Sequence, residues 1–270
     1  MTDTTKRFDV LTVIGLAATA YVVTTLLHEG LGHGGACIAV GGKPVAWGAY
    51  YFDCNTQGLP DWAFRAVAAA GNTVNLVVAF IAALILNARL KDPDTLRGPG
   101  TVFLWLMYGL NAFTWAGYFL FSGVAGIGDW GTGKEGVLYG LDNQLVLRIV
   151  MAVFGGIAYF LTGRAAGGML GRLIGGDNRQ TGRKLAWTAY VSGGALAILI
   201  GLMNPVGIII VLISSMASSL GGTSGLLWLH AFMRPSLEAN FSQTRSWLWI
   251  ALGVAVTAAY AIVFGTTVKL

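Results

Sequence analysis

The sequence has little charge and little cysteine, and each shortage excludes a class of protein. Only 11% of its 270 residues are charged, against about 25% in soluble domains, so an ordinary soluble domain is excluded. The two cysteines have neither a CxxC spacing nor a finger pattern, which excludes a zinc finger. The net charge of +5 comes from Lys and Arg scattered between apolar segments, so no nucleic acid partner is expected.

What the chain has in excess is apolar sequence. Hydrophobic residues make up 55% of the chain, mean hydropathy is +0.67, and several runs reach the 18 residues that mark a bilayer span. We predict a single membrane domain over 1–270, an all-α polytopic integral membrane protein with about six to seven transmembrane helices and a short strand-like segment after the first. The predicted spans lie near 10–33, 64–88, 101–123, 145–163, 185–203, 205–230 and 246–266.

Two points of this layout stay open from the sequence. The fifth and sixth spans are joined only by Asn204-Pro205, which fits either a tight helical hairpin or one broken, re-entrant element. Cys37 and Cys54 flank the strand-like segment, and they can pair only if both face an oxidising compartment.

The charge distribution predicts an orientation. If the N-terminus lies in the cytoplasm and the spans alternate, twelve Lys and Arg fall on the cytoplasmic side and five on the other. Positive charge accumulates on the cytoplasmic side of membrane proteins. We therefore predict an integral protein of a bacterial cytoplasmic (inner) membrane with its N-terminus inside and the end of the first span outside.

Chemistry is concentrated at the end of the first span. The chain has three His and three Glu, yet His28, Glu29 and His33 fall within six consecutive residues. Ionisable groups at the end of a membrane helix need a partner, water or an ion. Zn2+ fits because neutral imidazoles are good zinc ligands and a carboxylate next to the first His can take a proton from water.

The spacing of the two histidines requires a distorted backbone. In a regular α-helix, residues five apart point about 140° away from each other, so His28 and His33 could not easily share one ion. A π-bulge with about 4.4 residues per turn would bring them to about 50°. Alternatively, the helix ends near Gly30 and His33 returns from a loop.

A third ligand is expected from the same membrane face. Asp129 follows the third span and returns to that face, beside glycines that allow close backbone approach. Glu135 and Asp142 lie on that face too, but farther into the loop, whereas His230 ends the sixth span on the opposite side. Asp129 is the preferred third ligand.

The chain resembles the site-2 protease family of intramembrane zinc metalloproteases over residues 10–135. Four features carry the resemblance in order: the apolar helix ending in His28-Glu29-Gly-Leu-Gly-His33, the strand-like segment 41–52, Ala70-Gly71-Asn72-Thr73-Val74-Asn75 at the start of the next span, and Gly128-Asp129 after a third span. By that likeness His28, His33 and Asp129 ligate zinc, Glu29 activates water, and Asn75 helps to position substrate. Residues 145–270 would add further transmembrane helices.

The resemblance implies an intramembrane metallopeptidase that cleaves membrane-embedded protein or peptide substrates in the lipid bilayer. The β-rich composition of the 41–52 segment and the likeness together suggest that its edge holds an unwound substrate as an added strand. The rival hypothesis is a non-catalytic transporter or scaffold in which the metal motif is structural or vestigial. The sequence does not predict an oligomeric state.

Overall fold

The fold is a helical bundle with a small sheet at one end. The computed structural model describes residues 8–92, 96–204, 219–237, 239 and 241–270. Its helices are α1 Val10–Leu26, a π-helix Leu27–Gly34, α2 Gly35–Ala39, α3 Asp61–Arg89, α4 Pro99–Ala125, α5 Gln144–Ile174, α6 Arg179–Gly201, two short 3-10 helices Ser224–Leu227 and Leu229–Phe232, and α7 Trp247–Phe264. Its strands are β1 Lys43–Gly48, β2 Tyr51–Asn55 and β3 Val268–Lys269.

Five helices in the described part of the chain are long and apolar enough to cross a membrane, fewer than the six to seven predicted. They are the continuous helix Val10–Ala39, then Asp61–Arg89, Gln144–Ile174, Arg179–Gly201 and Trp247–Phe264. The predicted third span corresponds to α4, which is not among these five. Of the predicted sixth span, residues 205–218 lie outside the described residues, and residues 224–230 form 3-10 turns rather than an α-helix.

The two ends of the bundle can be followed from contacts between distant residues. At one end the Arg245 guanidinium pairs with Asp9 at 3.0 Å, where α1 and α7 both begin. At the other end, the sheet end, β3 pairs with β1. Asn204 also lies at the sheet end, where its side chain donates to Thr267 Oγ1 at 2.9 Å.

The small sheet has the order β2-β1-β3. The strand-like segment predicted after the first helix is therefore confirmed, but β1 lies between two other strands and offers no free edge. Tyr50 lies in the turn between β1 and β2, where its hydroxyl donates to the Ala197 carbonyl at 2.6 Å. An added strand would have to pair with an outer strand, and within the predicted segment that strand is β2, because β1 already has two neighbours.

Glycines allow the helices to approach closely. A Cβ atom on Gly15 of α1 would collide with the Trp249 backbone of α7, and one on Gly123 of α4 would lie 2.5 Å from the Ala152 backbone nitrogen of α5. Small residues at such positions are typical of helix contacts in membranes. Separate contacts bring α1, α3 and α4 together, and the π-helix that continues α1 packs against α3.

Candidate metal centre

The two histidines lie in a π-helix. Residues Leu27–Gly34 form eight residues of π-helix that join α1 to α2 without a break. The first of the two predicted backbones is therefore confirmed, and the loop alternative is wrong. A turn of about 4.4 residues places His28 and His33 on one face, as the five-residue spacing requires.

Three glycines in this π-helix lie against neighbouring elements. A Cβ atom on Gly30 would lie 2.6 Å from the Trp47 ring of β1, and one on Gly32 would lie 2.5 Å from the Gly71 Cα of α3. A Cβ atom on Gly34 would meet the Phe52 ring of β2 at 3.0 Å. The glycine-rich sequence therefore lets the widened helix fit between α3 and the sheet.

The imidazoles and the Asp129 carboxylate converge on one point. His28 Nε2 and His33 Nε2 lie 3.2 Å apart, and Asp129 Oδ2 lies 3.2 Å from the first and 3.5 Å from the second. His28 and His33 are 5% and 8% exposed. The three side chains could hold a metal ion, and the predicted residues are thus brought together from two separate parts of the chain, the π-helix and the loop after α4.

The Asp129 turn is fixed by its own backbone and by α3. Gly126 and Gly128 have φ of +76° and +84°, a left-handed conformation that favours glycine. The Arg65 side chain of α3 donates to the carbonyls of Val137 and Tyr139 in the same loop. These contacts hold the carboxylate over the π-helix.

The adjoining Trp130 is also anchored to α3. With its side-chain amide oriented to satisfy both neighbours, Asn72 accepts from the Trp130 indole at 3.1 Å and donates to the Trp115 carbonyl at 3.3 Å. Asn72 is fully buried. The residue next to Asp129 is thereby held against the helix that also contacts both histidines.

One oxygen of the Asp129 carboxylate faces the two imidazoles. Its Oδ2 atom is buried and has no hydrogen-bond partner among the described residues. Burial raises the pKa of Asp129, whereas attraction to His33 and His28 in their protonated form lowers it more, so the net pKa lies below its ordinary value. An ionised carboxylate facing two ring nitrogens needs a cation, either a proton or a metal ion, at their meeting point.

Gly71 leaves the space beside this point open. A Cβ atom there would lie 2.5 Å from His33 Nε2 and 2.7 Å from His28 Nε2. No larger residue could occupy this position without displacing the imidazoles. The glycine of the Ala70-Gly71-Asn72 motif thus has a physical reason that the sequence alone did not reveal.

Glu29 lies beside the converging groups and is 5% exposed. Together with His28 it lines a cavity of about 30 Å³, in which eight of the eleven lining residues carry hydroxyl groups. A polar cavity needs about 10–15 Å³ of such space for each water molecule. The cavity therefore has room for about two waters next to the Glu29 carboxylate.

Asn75, predicted to position substrate, contacts a histidine in the described structure. Its Oδ1 lies 2.6 Å from His28 Nδ1, and its Nδ2 donates to Asn111 Oδ1 at 2.8 Å. His33 Nδ1 lies 2.7 Å from the Val67 carbonyl oxygen. The sequence analysis missed Asn111 and Val67. The one available signal was for Asn111, a polar residue inside an apolar helix. Nothing in the local sequence marks Val67, which contributes only its backbone carbonyl.

The other residues considered as ligands lie outside the cluster. Glu135 and Asp142 are exposed in the loop after Asp129.

Cys37 and Cys54, whose pairing the sequence left open, form a disulfide with a Cα–Cα distance of 5.9 Å. This bond joins α2, directly after the histidine helix, to β2.

Comparison of the chain with family models, with curated proteins and with solved structures finds no match. The geometry of the site is therefore the basis for a functional assignment.

Proposed function

We propose that this protein is an intramembrane zinc metallopeptidase of the site-2 protease type, which hydrolyses peptide bonds of membrane-associated substrates. The observation that carries the proposal is the convergence of two imidazole nitrogens and a donorless buried carboxylate oxygen at the end of an apolar helix. A glutamate adjoins this cluster and lines a cavity of about 30 Å³. This is the residue set that a catalytic zinc site with three protein ligands and one open position requires.

The spacing of the three atoms suits zinc. Tetrahedral zinc with bonds of about 2.0–2.1 Å separates its ligand atoms by about 3.3 Å. The observed separations are 3.2, 3.2 and 3.5 Å. A mixed set of two imidazoles and one carboxylate also favours zinc over calcium or magnesium, which prefer oxygen ligands.

His28, His33 and Asp129 would hold the ion, and Glu29 would act as general base. A bound zinc ion would supply Lewis-acid polarisation of the scissile carbonyl and would lower the pKa of water at the site. Glu29 accepts the proton of the attacking water and later donates it to the leaving amine. Its burial beside the hydroxyl-lined cavity keeps bulk water away while leaving room for the reacting molecule.

Substrate would reach the site in an extended form. A helical peptide hides its carbonyls in its own hydrogen bonds, so it must unwind before attack. The β2 strand has one described neighbour, β1, and its Phe52 ring contacts the histidine helix at Gly34. The outer edge of β2 is therefore proposed to hold the unwound substrate as an added strand.

The membrane domain is proposed to cross the bilayer more often than the five apolar helices indicate. The 27 residues of α4 span about 40 Å at 1.5 Å per residue, and α4 packs between α3 and α5. Residue 204 lies at the sheet end, whereas Ser236 bridges to Gly176 where α5 gives way to α6. These positions support a crossing by α4 in addition to the five apolar helices, and they place residues 204 and 236 at opposite ends of the bundle.

The site is proposed to face the side opposite the N-terminus. The Cys37–Cys54 disulfide lies at the sheet end, and disulfides persist in oxidising compartments outside the cytoplasm. The excess of Lys and Arg at the other end supports the same orientation in a bacterial inner membrane.

Metal analysis of the purified protein and a matched pair of variants test the proposal. The protein is expected to carry zinc at near-stoichiometric level. Glu29→Gln should keep the zinc but abolish cleavage of apolar single-span peptides in lipid vesicles, assayed by mass spectrometry of the products. Glu135→Gln, the same substitution at an exposed position of the 126–143 loop, is the control and should cleave like the wild type.

Three results would contradict the proposal in different ways. A metal-free wild type would remove the enzyme and leave the non-catalytic transporter or scaffold. Zinc without cleavage would indicate a structural site. Loss of zinc in Glu29→Gln would mean that Glu29 is a ligand rather than the base.

A further inference from the structure

We infer that Asn111 is a positioning residue that fixes the protonation pattern of His28 through Asn75, so that the His28 lone pair faces the metal centre. The inference rests on the proposed metal centre for its purpose, although the hydrogen-bond pattern exists without a metal. It concerns a line of buried side chains that joins α1, α3 and α4.

The line begins at a backbone carbonyl. Asn111 Nδ2 donates to the Met107 carbonyl at 2.8 Å and to Thr24 Oγ1 at 3.1 Å. A carbonyl oxygen can only accept, so the amide nitrogen of Asn111 must face Met107. The amide oxygen of Asn111 is consequently turned away from that carbonyl.

The orientation passes along the line by necessity. Asn111 Oδ1 accepts from Asn75 Nδ2 at 2.8 Å, which turns Asn75 Oδ1 toward His28 Nδ1 at 2.6 Å. Since Asn75 offers an acceptor, Nδ1 of His28 must carry the hydrogen. The lone pair of the neutral ring then lies on Nε2, the atom that faces His33 and Asp129.

The burial of both asparagine amides keeps them in this orientation. Asn75 and Asn111 are both 0% exposed, and leaving a buried amide group without its partner costs about 1–3 kcal/mol. If the Asn75 amide were flipped, its Nδ2 donor would face His28 Nδ1, which already carries hydrogen and cannot accept. The alternative arrangement is therefore excluded as long as Asn111 holds the far side of the amide.

His33 has the same protonation pattern for a different reason. Its Nδ1 lies 2.7 Å from the Val67 carbonyl, which is fixed by the backbone of α3. Each ring is thus oriented by an acceptor behind it, as is typical of metal-ligating histidines. Only the His28 arrangement depends on Asn111, which makes His33 an internal control.

The test is nitrogen NMR of the imidazoles in the metal-free protein, because the chain has only three histidines. In the wild type both His28 and His33 should carry hydrogen on Nδ1. In Asn111→Ala, His28 should shift toward the Nε2–H form, which predominates for an unrestrained imidazole, while His33 stays unchanged. Wild-type His28 without hydrogen on Nδ1 would overturn the inference whether or not any variant folds.

Two further variants separate the relay from general damage to α4. Asn111→Asp still offers an acceptor to Asn75 Nδ2, so His28 should keep hydrogen on Nδ1. Thr114→Val changes a buried residue on the same helix that lines the cavity but has no place in the relay, and it should leave both rings unchanged. An unshifted His28 in Asn111→Ala, or a shifted one in Thr114→Val, would overturn the inference.

A second readout connects the relay to the metal. Asn111→Ala should weaken zinc binding by about 10- to 100-fold, the usual effect of removing a group that orients a ligand, measured by chelator competition. Unchanged zinc affinity together with a shifted His28 would overturn the positioning role. A wild type that binds no zinc but shows the expected His28 pattern would contradict the proposed function and leave the relay standing.

Discussion

Replacing Gly71 by Ala tests the metal centre most directly. The new Cβ atom would lie 2.5 Å from His33 Nε2 and 2.7 Å from both Cε1 and Nε2 of His28. Cβ contacts under 3.0 Å essentially never occur in proteins, so at least one ring must move by about 0.5 Å. Metal–ligand distances tolerate about 0.2 Å, and the site should lose a ligand.

The expected loss of zinc affinity exceeds about 100-fold, since changes behind the ligands alone cost about 10- to 100-fold. A 100-fold loss corresponds to about 2.7 kcal/mol of binding free energy. The fold should survive, because the added methyl group meets side-chain rather than backbone atoms, and Ala favours helix over Gly by about 1 kcal/mol.

Chelator competition measures zinc affinity, and circular dichroism follows thermal unfolding of the same samples. Gly35→Ala is the matched control, because its Cβ would meet only Leu31 Cδ1, at 3.9 Å, in the helix that follows the histidines. Wild-type zinc affinity in Gly71→Ala would refute the reasoning. Equal loss in both variants would show that the contact between the new methyl group and the imidazole rings is not what lowers the zinc affinity.

Three smaller predictions concern the frame around the site. Arg65→Ala should free the loop that carries Asp129 and increase its cleavage by a soluble protease, with Arg65→Lys intermediate; unchanged cleavage would contradict the anchor role. Cys37→Ser opens a disulfide between residues 17 apart in sequence and should lower the free energy of unfolding by about 3 kcal/mol. The unfolding temperature should therefore fall, and adding reductant should not lower it further. The pKa of Asp9 is lowered by a hydrogen bond from a backbone N–H in the first turn of α1 and by the ion pair with Arg245. Asp9→Ala should therefore cost about 1 kcal/mol at neutral pH, a difference that disappears as the pH falls below the ordinary carboxyl value of 3.8; a constant difference would contradict it.

The sequence allowed three of the metal-centre residues to be predicted because their chemistry is rare in an apolar chain. His28 and His33 stand out by type, and Asp129 stands out by the alternation of spans that returns it to the same face. The role of Glu29 and the identity of the metal stay predictions. The number of spans was less accessible, because the sequence counted residues 101–123 as a span whereas the corresponding helix α4 is not among the five described helices that are long and apolar enough to cross a membrane.

The contacts of Asn75 could not be read from its sequence position. Its partners lie 47 and 36 residues away, and such pairs depend on how α1, α3 and α4 cross. Likewise, only the crossing of the π-helix with α3 explains why Gly71 must be small. The sheet order also required the structure, since β3 joins β1 from the far end of the chain.

The amino-acid sequence by itself determined that the chain is an apolar helical protein and which few side chains could do chemistry, because hydropathy and residue type are local properties. For the segment that carries His28 and His33, the sequence left two backbone forms, a π-bulge or a helix end followed by a loop. Tertiary structure decided between them, since the widened helix is stabilised only where Trp47, Gly71 and Phe52 accommodate its glycines. Tertiary structure also decided which imidazole nitrogen keeps its lone pair for the metal centre, because that depends on the acceptors that other helices supply to the opposite nitrogen.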